Sequence, residues 1–229
     1  MRSSKLSKRP KADWPLAYRQ KESYFIDLKL RIEPGIFIPR PETEELVELA
    51  LHFIPLGAIS ILDLGTGSGA IALAVASQRP KASVTGTDIS PQAIGLARFN
   101  QKHLGLTNLS FTESNLFQNL NNQKFDYLIA NLPYLPYDER HLHPSTQYEP
   151  REALFAPRYG TFFIHQTLSR LSHYIKRMAF FEIDPCTVLI LKNDLQRLNL
   201  QGEFKKDLSN KTRFLVVSVK SAPGHRPGR

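Results

Sequence analysis

The sequence predicts an α/β fold built on one largely parallel, doubly wound sheet of seven strands. Apolar runs typical of strands alternate with helical patterns, and this order places successive strands side by side with helices on both faces of the sheet. The last two strands are joined by only a few residues around Ser209, too few for a crossover connection. We therefore expect these two strands to form an antiparallel hairpin at one end of the sheet.

The individual elements follow from apolar spacing and residue composition. Six strand candidates are strong, and a seventh is weaker. The strands are predicted over 60–65, 83–89, 109–114, 125–130, 178–183 and 213–220, with the weaker one over 202–208. The helices are predicted over 42–54, 68–78, 91–104, 160–176 and 187–199. Ahead of the sheet, residues 24–26 and 28–32 indicate a small strand pair.

Length and composition indicate one main globular domain with basic ends. Of the 229 residues, 41% are hydrophobic and 22% are charged, and no apolar run reaches the ~18 residues that a membrane span needs. Eight of the net nine positive charges lie near the two ends, which leaves +1 for the rest of the chain. The predicted organisation is a basic disordered tail over 1–13, a β-hairpin lead-in over 14–40, the main domain over 41–220 and a second basic tail over 221–229.

The basic ends, the cysteine content and the histidines bear on partners and location. Short basic ends can attract RNA or a ribosome electrostatically, but they are more often solvated, disordered termini. The single cysteine, Cys186, cannot form an internal disulfide, which favours a reducing compartment. His141 and His143, beside Asp138 and Glu139, lack the further ligands of a metal site. We predict a cytoplasmic protein with no metal and no membrane contact.

A glycine-rich turn predicts a nucleotide-like cofactor site. The strand that begins near residue 61 runs through Gly65 to Gly69 into a helix, and such glycines let the backbone and its free N–H groups approach a ligand. The next strand ends in Asp88, where a carboxylate can bind both hydroxyls of a ribose. The spacing would also suit NAD, but Asp63 at the end of the first strand and the G-x-G-x-G pattern argue against a dehydrogenase.

The tetrapeptide Asn131-Leu132-Pro133-Tyr134 follows a strand and predicts the site of chemistry. The Asn131 side-chain oxygen and a backbone carbonyl, such as that of Leu132, can accept both N–H bonds of a planar amide or amine and orient its nitrogen toward a bound cofactor. Pro133 stiffens the turn, and Tyr134 offers a flat wall for a planar substrate group. A nitrogen that is oriented in this way reacts through its lone pair and can lose its proton afterwards, so no strong general base is needed.

These motifs resemble those of known methyltransferases. The glycine turn with Asp88 resembles the S-adenosylmethionine site of Rossmann-like methyltransferases, and the tetrapeptide resembles that of amino-methyltransferases, whose targets are adenine, cytosine or glutamine nitrogens. Five further segments resemble the HemK/PrmC family of peptide chain release factor glutamine methyltransferases, in the same order along the chain. They are PLAY (15–18), GIFIPRPETEELVELAL (35–51), YEPREALF (148–155), FEI (181–183) and KDL (206–208). The resemblance extends from about Trp14 to Lys220.

The resemblance implies a fold, a cofactor, a substrate and a set of site residues. The fold would be Rossmann-like, the cofactor S-adenosylmethionine, and the substrate the Gly-Gly-Gln glutamine of a release factor. The implied cofactor contacts are Gly65, Thr66, Gly67, Ser68, Gly69, Asp88, Asn115, Leu116 and Asn131. The implied catalytic residues are Asn131, Leu132, Pro133 and Tyr134, which would also bind the substrate together with Arg40 and Glu42.

The chain also departs from the family pattern. The departures are Leu132 in place of a proline, Asn115 where many members carry Asp, Ala156-Pro157 in place of Gly-Gly, and Asp184-Pro185 in place of a glycine after FEI. Family members normally carry an N-terminal helical domain that helps to recognise the release factor, and only about a dozen residues precede the matching region here. With leucine at its second position, the tetrapeptide is similar to that of the ribosomal RNA adenine dimethylases. The alternatives are therefore a nucleic-acid adenine methyltransferase, of RNA or DNA, and a family member that binds the cofactor without activity.

Overall fold

A computed structural model describes residues 13–137 and 144–219. The strands are β1 (Glu22–Phe25), β2 (Leu28–Arg31), β3 (Ser60–Leu64), β4 (Ser83–Asp88), β5 (Leu109–Glu113), β6 (Phe125–Ala130), β7 (Ile175–Glu182), β8 (Gln201–Lys206) and β9 (Thr212–Ser218). The helices are α1 (Leu16–Gln20), α2 (Pro41–Phe53), α3 (Ala70–Gln78), α4 (Pro91–Leu104), α5 (Arg151–Leu154), α6 (Phe162–Leu168), α7 (Leu171–Tyr174) and α8 (Val188–Arg197), with 3-10 turns at Pro144–Tyr148 and Pro185–Thr187.

Strands β3 to β9 form one seven-stranded sheet in the order β5-β4-β3-β6-β7-β9-β8. The pairs from β5 to β7 are parallel, whereas β9 is antiparallel to both β7 and β8. The predicted mostly parallel sheet of seven strands and its antiparallel C-terminal pair are therefore confirmed. The last strand, β9, lies inside the sheet, between β7 and the edge strand β8.

The sheet divides the apolar core into two layers, because successive strand residues point to opposite faces. In β3, Ile61 belongs to the layer with α2, α3 and α4, and Leu62 belongs to the layer with α6, α7 and α8. Phe180 and Phe181 of β7 divide in the same way, and both are fully buried. The central strands read as nearly continuous apolar runs because helices cover both of their faces.

The predicted helix over 160–176 is wrong in its extent. The segment folds as the short helices α6 and α7, and β7 begins at Ile175 rather than at residue 178. Ile175 is buried and pairs with Phe125 at the start of β6. A β-branched side chain that packs well in a sheet explains why strand pairing prevails over the helical pattern there.

The lead-in over residues 14–40 contains the predicted strand pair β1 and β2, preceded by the short helix α1, which was not predicted. Phe25 of β1 and Leu30 of β2 are fully buried, in the same apolar layer as α2 and α3. The Asn100 side chain of α4 accepts a hydrogen bond from the Arg31 N–H at 2.8 Å and donates to the Arg31 carbonyl at 3.1 Å. The lead-in is thus packed into the core of the main domain.

Two groups of predictions fall outside the described residues. The basic runs over 1–11 and 220–229 do, and so do His141, His143 and the two acids beside them. In the part of the chain that the structure does describe, no helix has both the length and the apolar character needed to cross a membrane.

Candidate functional site

A cavity of about 600 Å³ opens where β3, β4 and β6 end. Open parallel sheets bind their ligands at the carboxyl ends of their strands. Most of the residues predicted for the site line this cavity. They are Gly65, Thr66, Gly67, Ser68, Asp88, Asn115, Leu116, Asn131, Leu132, Pro133 and Tyr134. Three other predicted residues, Gly69, Arg40 and Glu42, are not part of the cavity wall.

The glycine turn between β3 and α3 has a backbone that only glycine adopts without strain. Gly65, Gly67 and Gly69 have φ angles of 81°, 55° and 89°. A Cβ atom on Gly69 would lie 3.0–3.2 Å from the side chains of α3, α4 and β5, so this glycine serves close packing. A Cβ on Gly67 would meet nothing within 4 Å, which leaves the turn open to a ligand on the cavity side.

Asp63 holds the glycine turn from below. It is 1% exposed, and its Oδ2 accepts hydrogen bonds from the Thr66 hydroxyl at 2.5 Å and from the Ala72 N–H at 3.0 Å. Burial raises the pKa of Asp63 to about 7, although the two hydrogen bonds oppose this shift. Asp63 therefore fixes the start of α3 relative to the turn and does not reach the cavity.

Asp88, at the end of β4, stands across the turn from Gly67. One carboxylate oxygen accepts the Gly67 N–H at 2.9 Å, and the other accepts the Ser90 N–H at 2.9 Å. Burial raises the pKa of Asp88 despite these hydrogen bonds. Each carboxylate oxygen has a second acceptor position, so the anchored group retains the capacity to accept two hydroxyls of a sugar. This arrangement fits the ribose of a nucleoside-like cofactor.

Asn115 and Leu116 follow β5 and form another part of the cavity wall. Leu116 has a φ of 49°, a left-handed conformation that is unusual for a leucine. The Ser114 hydroxyl donates to the Leu116 carbonyl at 2.7 Å and so stabilises this turn. The fixed turn brings a polar residue, Asn115, and an apolar residue, Leu116, to the cavity wall. A polar side chain suits the edge of a nucleobase, and an apolar side chain suits its face.

The tetrapeptide Asn131–Tyr134 leaves β6 directly beside the glycine turn. Leu132 is buried, and its Cδ2 would lie 3.0 Å from a Cβ atom on Gly65. The leucine at the position where the resembling family has proline therefore packs beneath the turn. The glycine turn, predicted to bind the cofactor, and the tetrapeptide, predicted to orient the acceptor nitrogen, are therefore neighbours in the wall of one cavity.

Two residues that the sequence analysis did not single out connect this tetrapeptide to α2 and β7. Thr43 is 3% exposed and Glu182 is 1% exposed. The Asn131 Nδ2 donates to the Thr43 hydroxyl at 2.8 Å, the Thr43 hydroxyl donates to Glu182 at 2.7 Å, and the Tyr134 hydroxyl also donates to Glu182 at 2.7 Å. An acid at the carboxyl end of a buried strand was the available signal for Glu182. Thr43 had no separate signal, because Pro41 and the acids beside it are typical of any helix start.

Arg40 and Glu42, the two predicted substrate contacts outside the tetrapeptide, do not line the cavity. The Arg40 guanidinium pairs with the buried Glu149 and lies 5.1 Å from the centre of the Phe37 ring. Glu149 also accepts the Ile38 N–H at 3.0 Å. Arg40 thus stabilises the cavity wall to which Phe37 belongs, and a contact of Arg40 or Glu42 with substrate stays a prediction.

Metal and thiol chemistry find little support in residues 13–137 and 144–219. Over these ranges, no cluster of three His, Cys, Asp or Glu side chains is arranged to hold a metal ion. Partial burial and a hydrogen bond with Asp184 raise the pKa of Cys186 to about 11. The nucleophilic thiolate is therefore scarce near neutral pH.

Comparisons with known proteins agree with this geometry. Residues 57–213 match a family model described as a methyltransferase domain. The chain is 43% identical to a release factor glutamine methyltransferase from Salmonella typhimurium over 86% of this chain and 68% of that protein. It is 40% identical to the one from Vibrio cholerae over 73% of this chain and 59% of that protein. The fold is similar to that of a methyltransferase from Pyrococcus furiosus, with a TM-score of 0.65 at 16% identity over 84% of this chain and 89% of that one.

Proposed function

Because the chain belongs to the release factor glutamine methyltransferase family, we propose that it methylates the side-chain nitrogen of the Gly-Gly-Gln glutamine of a peptide chain release factor. The family and the Rossmann-like fold predicted from the sequence are confirmed. The predicted cofactor, S-adenosylmethionine, agrees with the methyltransferase family and with similar folds that hold this cofactor or its product. One observation supports the proposed reaction above all: the glycine turn, Asp88 and the tetrapeptide Asn131–Tyr134 line a single cavity.

The residues of this cavity fit the cofactor. The open space above Gly67 admits a ligand against the turn, and the anchored Asp88 carboxylate would hold the ribose. Asn115 and Leu116 would contact the base. When bound, S-adenosylmethionine supplies a methyl group on a positively charged sulfur.

The tetrapeptide would position the substrate glutamine. The Asn131 side-chain oxygen and the Leu132 carbonyl would accept the two N–H bonds of the glutamine amide and hold its nitrogen in line with the methyl group. The Tyr134 ring would lie along the planar amide. The nitrogen sheds its extra proton after it has gained the methyl group, so these residues contribute position rather than proton abstraction.

The test is mass spectrometry of unmodified release factor after incubation with the purified chain and S-adenosylmethionine. We expect the mass gain of one methyl group on the Gly-Gly-Gln glutamine. Asn131→Ala should lower the rate by about 100-fold, because an aligned polar group in a closed site contributes on this scale. Asn193→Ala, on the exposed face of α8, is the matched control and should keep the wild-type rate. Cofactor binding without any gain on release factor would contradict the proposal.

A nucleic-acid adenine methyltransferase is the second candidate, because Leu132 resembles the ribosomal RNA adenine dimethylases. Ribosomal RNA and DNA belong in the same assay as separate samples. Methylation of either one, with release factor unmodified, would favour this candidate. Contact of the basic ends with RNA or a ribosome, and a cytoplasmic location, stay predictions; strongly salt-dependent RNA binding that is lost with the ends would support the contact.

A further inference from the structure

We propose that Glu182 and Thr43 are positioning residues that determine the orientation of the Asn131 side-chain amide, so that the amide oxygen, and not the NH₂ group, faces the substrate. This inference rests on the proposed function, because only a substrate with N–H donors requires that oxygen. It concerns two residues outside the tetrapeptide, one on α2 and one at the end of β7.

The buried carboxylate of Glu182 is the fixed end of the hydrogen-bond chain. Its Oε1 lies 2.7 Å from the Tyr134 hydroxyl and its Oε2 lies 2.7 Å from the Thr43 hydroxyl. An ionised carboxylate only accepts hydrogen bonds, so both hydroxyl protons must point toward it. The direction of each of these bonds is therefore determined by the charge of Glu182.

The direction of the next bond follows from the first. Thr43 has one hydroxyl proton, and Glu182 receives it, so toward Asn131 the Thr43 oxygen can only accept. The Asn131 group that faces Thr43 at 2.8 Å must then be the NH₂ group. The amide oxygen is consequently directed away from Thr43, and Asn131 forms part of the cavity wall.

Two hydrogen bonds and one positive charge stabilise the ionised form of Glu182 that this hydrogen-bond chain requires. Burial, the largest influence, and the negative charge of Glu42 raise the pKa of Glu182, and the hydrogen bonds from Tyr134 and Thr43 and the positive charge of Arg213 oppose that rise. Arg213 is itself held by Asp207, whose Oδ2 lies 3.3 Å from the Arg213 Nε. Asp207 and Glu182 belong to the KDL and FEI segments, so both segments contribute to one charge arrangement behind the tetrapeptide.

The orientation matters because the two ends of an amide are opposite in hydrogen-bond character. The substrate nitrogen presents two N–H donors, which the Asn131 oxygen can accept and the Asn131 NH₂ cannot. A reversed amide would set donor against donor at the position where the nitrogen must be aimed. The substrate would then be misaligned with the methyl donor, although the glycine turn and Asp88 would be unchanged.

The kinetic test compares Thr43→Val, which removes the hydroxyl at nearly constant shape, with Thr43→Ser, which keeps it. We expect Thr43→Val to lower kcat by about 10- to 100-fold, a range typical of a misaligned reacting group. Thr43→Val should also lower the Tm, because it removes two hydrogen bonds of the buried Thr43 side chain. The Kd for S-adenosylmethionine should change far less than kcat, and Thr43→Ser should recover most of both kcat and Tm. Wild-type kcat in a folded Thr43→Val variant would overturn the inference, and so would an equal loss in Thr43→Ser.

A second measurement needs no activity and no hydroxyl deletion. In wild type, NMR should show a nuclear Overhauser effect between the Asn131 side-chain NH₂ protons and the Thr43 side chain. Glu182→Gln has the same shape but supplies donors to Thr43, which allows the chain to reverse, so the effect should weaken and kcat should fall. An unchanged effect in Glu182→Gln would overturn the inference. If wild type fails to methylate release factor while this NMR result holds, the proposed substrate is wrong and the orientation of Asn131 stands.

Discussion

Asp63 is a carboxyl group enclosed beneath the glycine turn, and its raised pKa couples the stability of the fold to pH. The folded chain holds the Asp63 proton up to pH about 7, whereas an ordinary aspartate loses it near pH 4. Between these values the unfolded chain binds fewer protons than the folded chain, so stability falls as pH rises. Below pH 4 and above pH 7 the group adds no pH dependence.

We predict that Asp63→Asn removes this contribution. The free energy of unfolding of wild type, minus that of the variant, should decrease from pH 4 to pH 7 by up to about 1.4 kcal/mol per pH unit. Urea unfolding at several pH values measures this difference.

Asp126→Asn is the control for the Asp63 prediction. Burial alone would raise the pKa of Asp126, but hydrogen bonds from Ser60 and the charges of Lys176 and Arg177 lower it below the ordinary value. The stability that Asp126 contributes is therefore lost only below pH 4, and this variant should keep the wild-type slope between pH 4 and 7. A pH-independent difference between wild type and Asp63→Asn would contradict the prediction.

The extent to which single residues could be predicted depended on whether their function left a local pattern. Asp88 and Asn131 stand at strand ends beside turn residues, and that pattern placed both in the cavity wall. Glu182 is hydrogen-bonded to Tyr134, which is 48 positions earlier in the sequence. Thr43 is hydrogen-bonded to Asn131, which is 88 positions later. Spacing along a sequence carries no record of such contacts, so their role required the folded chain.

At the scale of elements, the connection between α5 and α6 presses directly on the tetrapeptide. Gly160 has a φ of 88°, and a Cβ atom there would lie 2.0 Å from the Tyr134 carbonyl oxygen. Arg158, also in the left-handed region, binds both oxygens of the buried Asp194 on α8 at 2.7 Å. The ion pair holds the connection in a strained shape against the backbone of Tyr134.

We predict that Gly160→Ala lowers both stability and kcat. Strain at a left-handed position costs about 1–3 kcal/mol, and the clash with Tyr134 adds to it. Gly105→Ala is the matched control, because Gly105 has a φ of 67° but nothing within 4 Å of the added Cβ. The control should lose about 1 kcal/mol and keep kcat. Equal kcat values in the two variants would contradict a positioning role for the connection.

Elements whose ends are marked by local signals were predicted accurately, and elements whose ends depend on pairing with a neighbouring strand were not. The helix over 91–104 was predicted at its observed bounds because Ser90 caps it, Pro91 begins it and Gly105 ends it. The segment 160–176 failed because β6 draws Ile175 into the sheet. Local signals determine a helix with both ends marked, whereas sheet pairing is decided by residues far away in the sequence.

At the scale of the whole molecule, the lead-in and the main domain share one core and should unfold together. Trp14, the single tryptophan, packs against the apolar layer that contains Phe25 and Leu46. Its fluorescence therefore reports on the lead-in, whereas far-ultraviolet circular dichroism reports mainly on the sheet and helices. We predict the same urea midpoint with both probes.

Asn100→Ala extends the whole-molecule test, because it removes the side chain that joins β2 to α4 and also donates to the Ser68 carbonyl at 2.9 Å. Loss of buried hydrogen bonds should cost about 1–3 kcal/mol and move both midpoints together. A tryptophan transition at lower urea than the circular dichroism transition would mean that the lead-in is a separate folding unit.

The position of β9 between β7 and β8 has a consequence for how the protein is made. A ribosome delivers β7 and β8 before β9, so during synthesis the sheet has a gap that only residues 212–218 can fill. Until then β7 presents an open edge that invites pairing with other chains. Arg213, the cation that favours the charged form of Glu182, arrives with the same strand. Translation therefore completes the sheet and adds the positive charge beside Glu182 in one late step, and a nascent chain that stops earlier has neither.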